Sequence, residues 1–281
     1  MDWSLVLASQ GIDHRVDHDE VDGWTLSVSE VDHERALEHI RLYRLENRHW
    51  GWRQPVFQPD LFFDWSCLAW VLLSIFFYWW SETRDGIEAS GLMDNAALKH
   101  GEWWRLFTAT WLHADLGHLA MNLVFGFLFL GLVMGRYGAG VGLLAAYLAG
   151  VGGNFITWLV YDETHRGLGA SGVVMGALGL LAIQSGTFLK KRNSATFRLF
   201  ASGILAGVLL FVFLGVSPGV DVVAHFGGFV SGAGLGILLA LAPRLAQRPR
   251  LNLAAGIIFA VLVILPWWWA MIHAGVHPAF Q

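Results

Sequence analysis

The chain has 281 residues, of which 55% are hydrophobic and only 14% are charged. Soluble domains carry about 25% charged residues, so this composition excludes an ordinary soluble protein and favours a membrane protein. The formal net charge is −4, so there is no basic excess and we expect no nucleic-acid partner.

The first 50 residues differ from the rest and are predicted to form a small soluble α+β module. The stretch "GWTLSVSE" alternates as a strand does, and "DHERALEHIRLYRLEN" places Ala36, Ile40 and Tyr43 at helical spacing. Because about 50 residues enclose little apolar surface, the core of this module is expected to be marginal on its own. A polar linker over residues 51–60 leads to the membrane part.

Seven apolar segments follow, each long enough or nearly long enough to cross a bilayer, which takes about 20 residues. We place them at residues 61–80, 117–135, 141–161, 171–189, 196–214, 222–241 and 251–272. The sequence therefore predicts an all-α polytopic membrane protein. Residues 61–242 form a six-span core, and residues 251–273 add a seventh transmembrane helix.

Lysine and arginine are distributed unequally between the two sides. The side of the N-terminal module carries twelve: Arg41, Arg44, Arg48, Arg53, Arg136, Lys190, Lys191, Arg192, Arg198, Arg244, Arg248 and Arg250. The other side carries four: Arg84, Lys99, Arg105 and Arg166. Because positive loops stay inside, we expect the N-terminus in the cytoplasm and the C-terminus outside. No organelle-targeting segment is evident, so a bacterial plasma membrane is the expected setting.

The loop over residues 81–116, called the first loop below, is too long for a simple hairpin and is rich in tryptophan. Its stretch "GEWWRLFTATWLH" favours an interfacial position, because tryptophan prefers the headgroup layer. We expect this loop to lie partly in the outer leaflet.

Polar groups inside spans are costly and tend to mark functional sites. His118 and Asn122 are four residues apart on the second span, so they share one helical face. Ser171 begins the fourth span, and His225 lies about one turn into the sixth. With the predicted topology, all four residues lie at similar depth near the outer face.

This set of groups is suited to acyl transfer. A serine hydroxyl becomes a good nucleophile when a histidine takes its proton. The developing oxyanion needs fixed donors, which His118, the Asn122 amide and the Ser171 backbone N–H can supply. Gly228, Gly232 and Gly236 repeat every four residues, which lets the fourth span approach the sixth closely.

Each of these features also has a structural interpretation. Ser171 can be a helix cap, Asn122 can join two helices, and a histidine in a span can be a satisfied core group. Asp221, four residues before His225, can complete a triad or cap the sixth span. His113, His118 and His165 lack an H-E-x-x-H pattern and an acidic partner at ligand spacing, so we expect no metal.

Four motifs, in order, resemble those of the rhomboid intramembrane serine proteases. They are "WR" at Trp104–Arg105, "HLAMN" at His118–Asn122, "GASG" at Gly169–Gly172 and "AHFGGFVSG" at Ala224–Gly232. The resemblance covers residues 59–241. Met175 departs from it, because members often carry an aromatic residue at the corresponding position, packed under the catalytic histidine.

The resemblance implies a six-helix bundle with a water-filled cavity open to the outside, plus one added helix. It implies a Ser171–His225 dyad without an aspartate, and an oxyanion hole formed by His118, Asn122 and the Ser171 amide. Trp104, Arg105, Gly169, Gly172, Gly228 and Gly232 are implied as structural motif residues. No cofactor is implied, and the substrates are single-span membrane proteins cut near the outer face; oligomeric state stays open.

Two other functions are compatible with a polytopic membrane protein. A catalytically silent rhomboid-like protein would bind membrane clients, but such members usually lack the serine or the histidine, and this chain has both. Clustered polar groups would suit a transporter or channel. However, Asp and Glu are nearly absent from the spans, so few groups could bind a coupled proton or cation.

Overall fold

The structure is a computed structural model in which eight stretches of the chain are described. They are residues 2–19, 23–46, 63–162, 164–183, 205–210, 212–213, 221–241 and 248–273. The chain divides into two compact units, Met1–Gln58 and Pro59–Gln281.

The first unit combines two helices and a hairpin. Helix α1 (Asp2–Ser9) is followed by strands β1 (His14–Asp19) and β2 (Gly23–Val28), which pair antiparallel, and then by α2 (His33–Glu46). Its buried apolar side chains are few: Leu7, Ile12 and Ala36. The described part of the module therefore has a small apolar core, and its low stability stays a prediction.

The second unit is mostly helical, with short helices in the first loop and long ones elsewhere. The long helices are α3 (Cys67–Thr83), α7 (Leu116–Tyr137), α8 (Ala139–Val160), α9 (Ser171–Ala182), α10 (Val222–Leu241) and α11 (Pro249–His273). The first loop holds α4 (Ile87–Gly91), β3 (Met93–Asp94), α5 (Asn95–Lys99) and α6 (Arg105–Thr108). Strand β4 (Arg166–Gly167) pairs with β3 just before α9.

Within the described residues, four helices are long and apolar enough to cross a membrane: α7, α8, α10 and α11. They coincide with the second, third, sixth and seventh predicted spans, so the prediction of a polytopic helical membrane protein is confirmed at this level. The described part of the fourth span is shorter, and most of the fifth span lies outside the described residues. The complete count of six spans plus one stays a prediction.

The first predicted span begins later than the sequence pattern indicates. Residue 61 lies outside the described residues, and the helix starts at Cys67. The cause is local, because Asp64 Oδ1 accepts hydrogen bonds from the Ser66 amide (2.9 Å) and the Ser66 hydroxyl (2.6 Å). Such an Asp-centred turn competes with helix formation, and hydropathy alone does not detect it.

Helix α11 packs against α8 and the first loop. Asn252 Oδ1 accepts a hydrogen bond from the Val141 amide (3.2 Å) at the start of α8. Further along, the Trp267 ring stacks on Phe77 with 5.2 Å between centroids and lies against Gly91. Helix α11 thus supports the first loop, whose end lines the candidate site.

Candidate active site

One open cavity of about 440 Å³ is lined by all four polar residues that the sequence singled out. Ser171, His225, His118 and Asn122 reach it from three different helices, α9, α10 and α7. Met175, one turn after Ser171, lines the same cavity. The structure therefore brings together side chains that are more than 100 residues apart in the sequence.

Gly169 lets the His118 ring approach Ser171. Its φ of +137° is a conformation that other residues rarely adopt. A Cβ built there would lie 2.8 Å from His118 Cε1 and 3.7 Å from the Ser171 hydroxyl oxygen. Both the backbone conformation and the lack of space therefore favour glycine at position 169. The His118 ring and the serine hydroxyl border the same small space.

Ser171 is the first residue of α9, where backbone N–H groups have no partner within the helix. The partial positive charge at a helix start favours a developing negative charge. The segment before Ser171 is held by the first loop, because the Gly169 amide donates a hydrogen bond to the Ala109 carbonyl oxygen (2.9 Å). The position of the serine is thus fixed by backbone contacts on both sides.

Hydrogen bonds at the start of α7 hold the backbone of His118 and the side chain of Asn122. Asp115 caps α7 by accepting a hydrogen bond from the His118 amide at 2.8 Å. One N–H of the Asn122 side chain donates to the His118 carbonyl oxygen at 3.1 Å. An amide carries two such donors, so Asn122 has a second N–H to offer a ligand.

Glycines bring α10 into backbone contact with α9. A Cβ at Gly228 would overlap the Gly172 carbonyl oxygen, and a Cβ at Gly232 would overlap that of Gly176. This confirms the prediction that small residues let the fourth span press against the sixth. The serine and the histidine are carried by two helices that no bulky side chain separates.

Trp104 and Arg105 organise the first loop. The Trp104 indole donates to the Ser90 carbonyl oxygen (3.2 Å). The Arg105 guanidinium donates to the carbonyl oxygens of Ala89 (2.8 Å) and Leu92 (2.7 Å). Because Arg105 is itself buried, these bonds satisfy its guanidinium and fix the course of the loop backbone around it.

Asp221 caps the helix that carries His225. Its Oδ1 accepts a hydrogen bond from the Ala224 amide at 2.9 Å, which confirms the capping interpretation. Its Oδ2 lies 2.9 Å from Nε2 of His165. Sequence reasoning considered His165 only as a metal ligand and missed this pair, since nothing in the local pattern relates residues that far apart.

His113 is a buried histidine beside His118. Its side chain is 3% exposed, and its ring stands edge-on to the His118 ring with 5.3 Å between centroids. Neither ring nitrogen makes a hydrogen bond of good geometry to a described residue, and the Trp111 backbone offers only a weak contact. Burial, with a smaller effect of His118, lowers the pKa of His113 from 6.5 to about 3. His113 is therefore neutral in the folded protein at neutral pH.

This burial predicts a pH-dependent stability. Because the folded-state pKa of His113 lies below the unfolded-state value, the unfolded chain binds the proton first as the pH falls. The free energy of unfolding is then unaffected by His113 above pH 6.5 and declines below it by about 1.4 kcal/mol per pH unit. Between pH 6.5 and about pH 5 the loss is about 2 kcal/mol.

The measurement compares the parent and His113→Leu by reversible denaturation in detergent between pH 5 and 7. Carboxylates titrate mostly below this window, so the difference between the two slopes isolates the histidine. The leucine variant should lose this part of the slope. An identical slope in both proteins would show that His113 is not buried in its neutral form.

The family model described as Rhomboid domain matches residues 100–242, a range that includes every motif described above. RHOMBOID-like protein 4 of Arabidopsis thaliana is 30% identical over 192 residues, which cover 62% of this chain and 46% of that protein. Rhomboid-like protease 3 of Toxoplasma gondii is 28% identical over 194 residues, covering 66% and 73%. Rhomboid protease GluP of Bacillus subtilis (strain 168) is 28% identical over 204 residues, covering 72% and 38%. This chain spans about half the length of RHOMBOID-like proteins 4 and 5 of Arabidopsis thaliana, 46% and 50%.

Proposed function

This chain belongs to the rhomboid family, and on that basis we propose that it is an intramembrane serine endopeptidase. Its substrates are single-span membrane proteins, whose transmembrane segments it cleaves near the outer membrane face. Ser171 is the nucleophile and His225 is the general base. The observation that carries the proposal is the single cavity lined by Ser171, His225, His118 and Asn122.

The reaction proceeds in two acyl-transfer steps. The Ser171 hydroxyl attacks the scissile carbonyl while His225 accepts its proton, and His225 then donates that proton to the departing amine. Water, activated by His225, hydrolyses the acyl-enzyme and restores the serine. The proposed chemistry uses only side chains and a backbone amide of this protein, together with water.

The negative charge on the tetrahedral intermediate is stabilised by fixed donors. The His118 ring, the second N–H of Asn122 and the Ser171 backbone amide are proposed to form this oxyanion hole. The His118 ring lies beside Gly169 and borders the same space as the Ser171 hydroxyl, which supports the role of the ring. Removal of one such donor typically costs a factor of about 10² to 10³ in turnover.

Asp221 is not proposed as a third member of the catalytic group. Its carboxylate contacts the Ala224 amide and the His165 ring. The dyad implied by the family pattern therefore requires no aspartate in this chain.

The membrane setting follows from the helices and the charge distribution. This is an integral membrane protein, and we propose that its N-terminus is cytoplasmic and its C-terminus external, in a bacterial plasma membrane. With that orientation, the cavity at the starts of α7, α9 and α10 faces the outside, where water is available for hydrolysis. Substrate segments must unwind there, because a helix hides its carbonyl groups from attack.

The proposal is tested with the purified full-length protein in detergent. We expect it to cleave a fluorescent single-span substrate and to react covalently with a fluorophosphonate probe at Ser171, located by mass spectrometry. A folded protein that binds the substrate but neither cleaves it nor reacts with the probe would contradict the proposal. That outcome would support the catalytically silent client-binding protein instead.

A further inference from the structure

The outer rim of the cavity contains a histidine–aspartate pair that the proposed reaction does not use. His165 Nε2 and Asp221 Oδ2 are 2.9 Å apart, and their side chains are only 20% and 21% exposed. Partial burial strengthens such a contact relative to a fully exposed pair, which is worth little. Asp221 also lines the cavity itself.

The His165 ring is held in place before it meets the aspartate. It stacks on Tyr161 with 4.2 Å between centroids and 22° between planes. The His165 carbonyl oxygen accepts a hydrogen bond from the Asn95 amide (3.1 Å), and the Asn95 side chain donates to the Tyr161 carbonyl oxygen (3.1 Å). The imidazole is thus a fixed donor or acceptor, with little rotational freedom left to lose.

The pair joins the two parts of the chain that carry the proposed dyad. His165 lies six residues before Ser171, in the serine segment (residues 164–171), and Asp221 lies four residues before His225. The same carboxylate caps α10 through the Ala224 amide. One carboxylate therefore connects the serine segment directly to the first turn of the helix that holds His225.

We propose that His165 and Asp221 are positioning residues that fix the serine segment to the start of α10 and so align Ser171 with His225. This inference rests on the proposed protease function and assigns no contact with substrate to either residue. Misalignment by about 1 Å can reduce the rate of a positioned reaction by a factor of about 100. Loss of the pair is therefore expected to act on turnover rather than on substrate binding.

Two other charged groups lie near the pair, and one of them, Arg166, provides a matched control. Asp162 precedes His165 by three residues, and Arg166 follows it and pairs with Asp94 at 2.9 Å. The Arg166 side chain is 72% exposed and is directed to the first loop, not to α10. Arg166→Gln therefore removes a neighbouring charge without touching the proposed link.

The test compares four variants of the whole chain with the parent and with the Arg166→Gln control. His165→Leu removes the ring donor, whereas His165→Gln retains an N–H donor of similar reach. Asp221→Ser retains a helix-capping oxygen but is too short to reach His165. The double variant His165→Leu/Asp221→Ser measures whether the two residues act as one unit. Thermal unfolding in detergent establishes that each variant is folded. If His165→Leu does not fold, the activity of Asp221→Ser decides the test.

We measure kcat and KM for a single-span substrate and the rate of fluorophosphonate labelling. The expected result is a tenfold to hundredfold loss in kcat and in labelling rate for His165→Leu and Asp221→Ser, with KM unchanged. The double variant should be no worse than either single variant. His165→Gln should recover activity to within about threefold of the parent, and Arg166→Gln should match the parent.

Two results would overturn the inference, and they differ from a failure of the proposed function. The first is full activity in both single variants beside an active parent. The second is a double variant whose loss is the product of the two single losses, which shows that the residues act independently. An inactive parent would instead remove the protease function and, with it, the positioning role.

Discussion

Replacing Ser171 with alanine is expected to abolish proteolysis and fluorophosphonate labelling, and replacing His225 with alanine is expected to reduce proteolysis by more than about a thousandfold. Alanine removes the only oxygen that can form the acyl-enzyme in the first case. In the second it removes the base that makes this oxygen nucleophilic. Because the two groups act on the same proton, the double variant should be no slower than the slower single variant.

The measurement is single-turnover cleavage of a single-span substrate, with the variants reconstituted in lipid vesicles. Ser231→Ala is the matched control, because Ser231 lies on α10 but does not line the cavity. It should cleave at the parent rate. If Ser171→Ala still cleaves the substrate and the fluorophosphonate labels another residue, Ser171 is not the nucleophile and only begins the helix.

The second large effect is expected from adding one methyl group between α9 and α10. A Cβ at Gly232 would overlap the Gly176 carbonyl oxygen, a backbone atom that cannot rotate away. The helices must separate, so Gly232→Ala should lower the free energy of unfolding by about 3 kcal/mol or more. Activity should fall further than stability, since this contact also sets the distance between the helices that carry Ser171 and His225.

Gly234 provides the control on the same helix. A Cβ built there meets no atom within 4 Å. Gly234→Ala should therefore be neutral or stabilising by up to about 1 kcal/mol, because alanine favours helices over glycine. Equal stability of the two alanine variants, measured by denaturation in detergent, would show that α9 and α10 are not in backbone contact.

Sequence reasoning predicted the parts of the site that depend on periodicity. The spacing of His118 and Asn122 places them on one face, and the repeat of Gly228 and Gly232 predicts a close helix contact. Hydropathy located α7, α8, α10 and α11 to within two residues, because a span must contain enough apolar residues to cross the bilayer. Counting the spans also predicted that the four polar residues lie close together, and they line one cavity; their depth near the outer face stays a prediction.

The remaining features depend on contacts between residues far apart in the chain. The bond from the Gly169 amide to Ala109, and the pair formed by His165 and Asp221, connect loops that have no periodic pattern. The late start of the first span depends on one aspartate side chain, Asp64. Such contacts are set by how the helices pack, and a single sequence carries no local signal of them.

The backbone contact between α9 and α10 also limits how this protein can change over generations. In a core of leucine and phenylalanine, a substitution that adds volume at one position can be offset by a loss of volume at its neighbour. Gly232 and Gly176 cannot be replaced by a smaller residue, because glycine is the smallest. The atom opposite Gly232 is a carbonyl oxygen, which every residue carries. A second substitution cannot compensate at these positions, so we expect related sequences to keep the distance between the two helices that bear Ser171 and His225, while exposed positions of the same helices accept more substitutions.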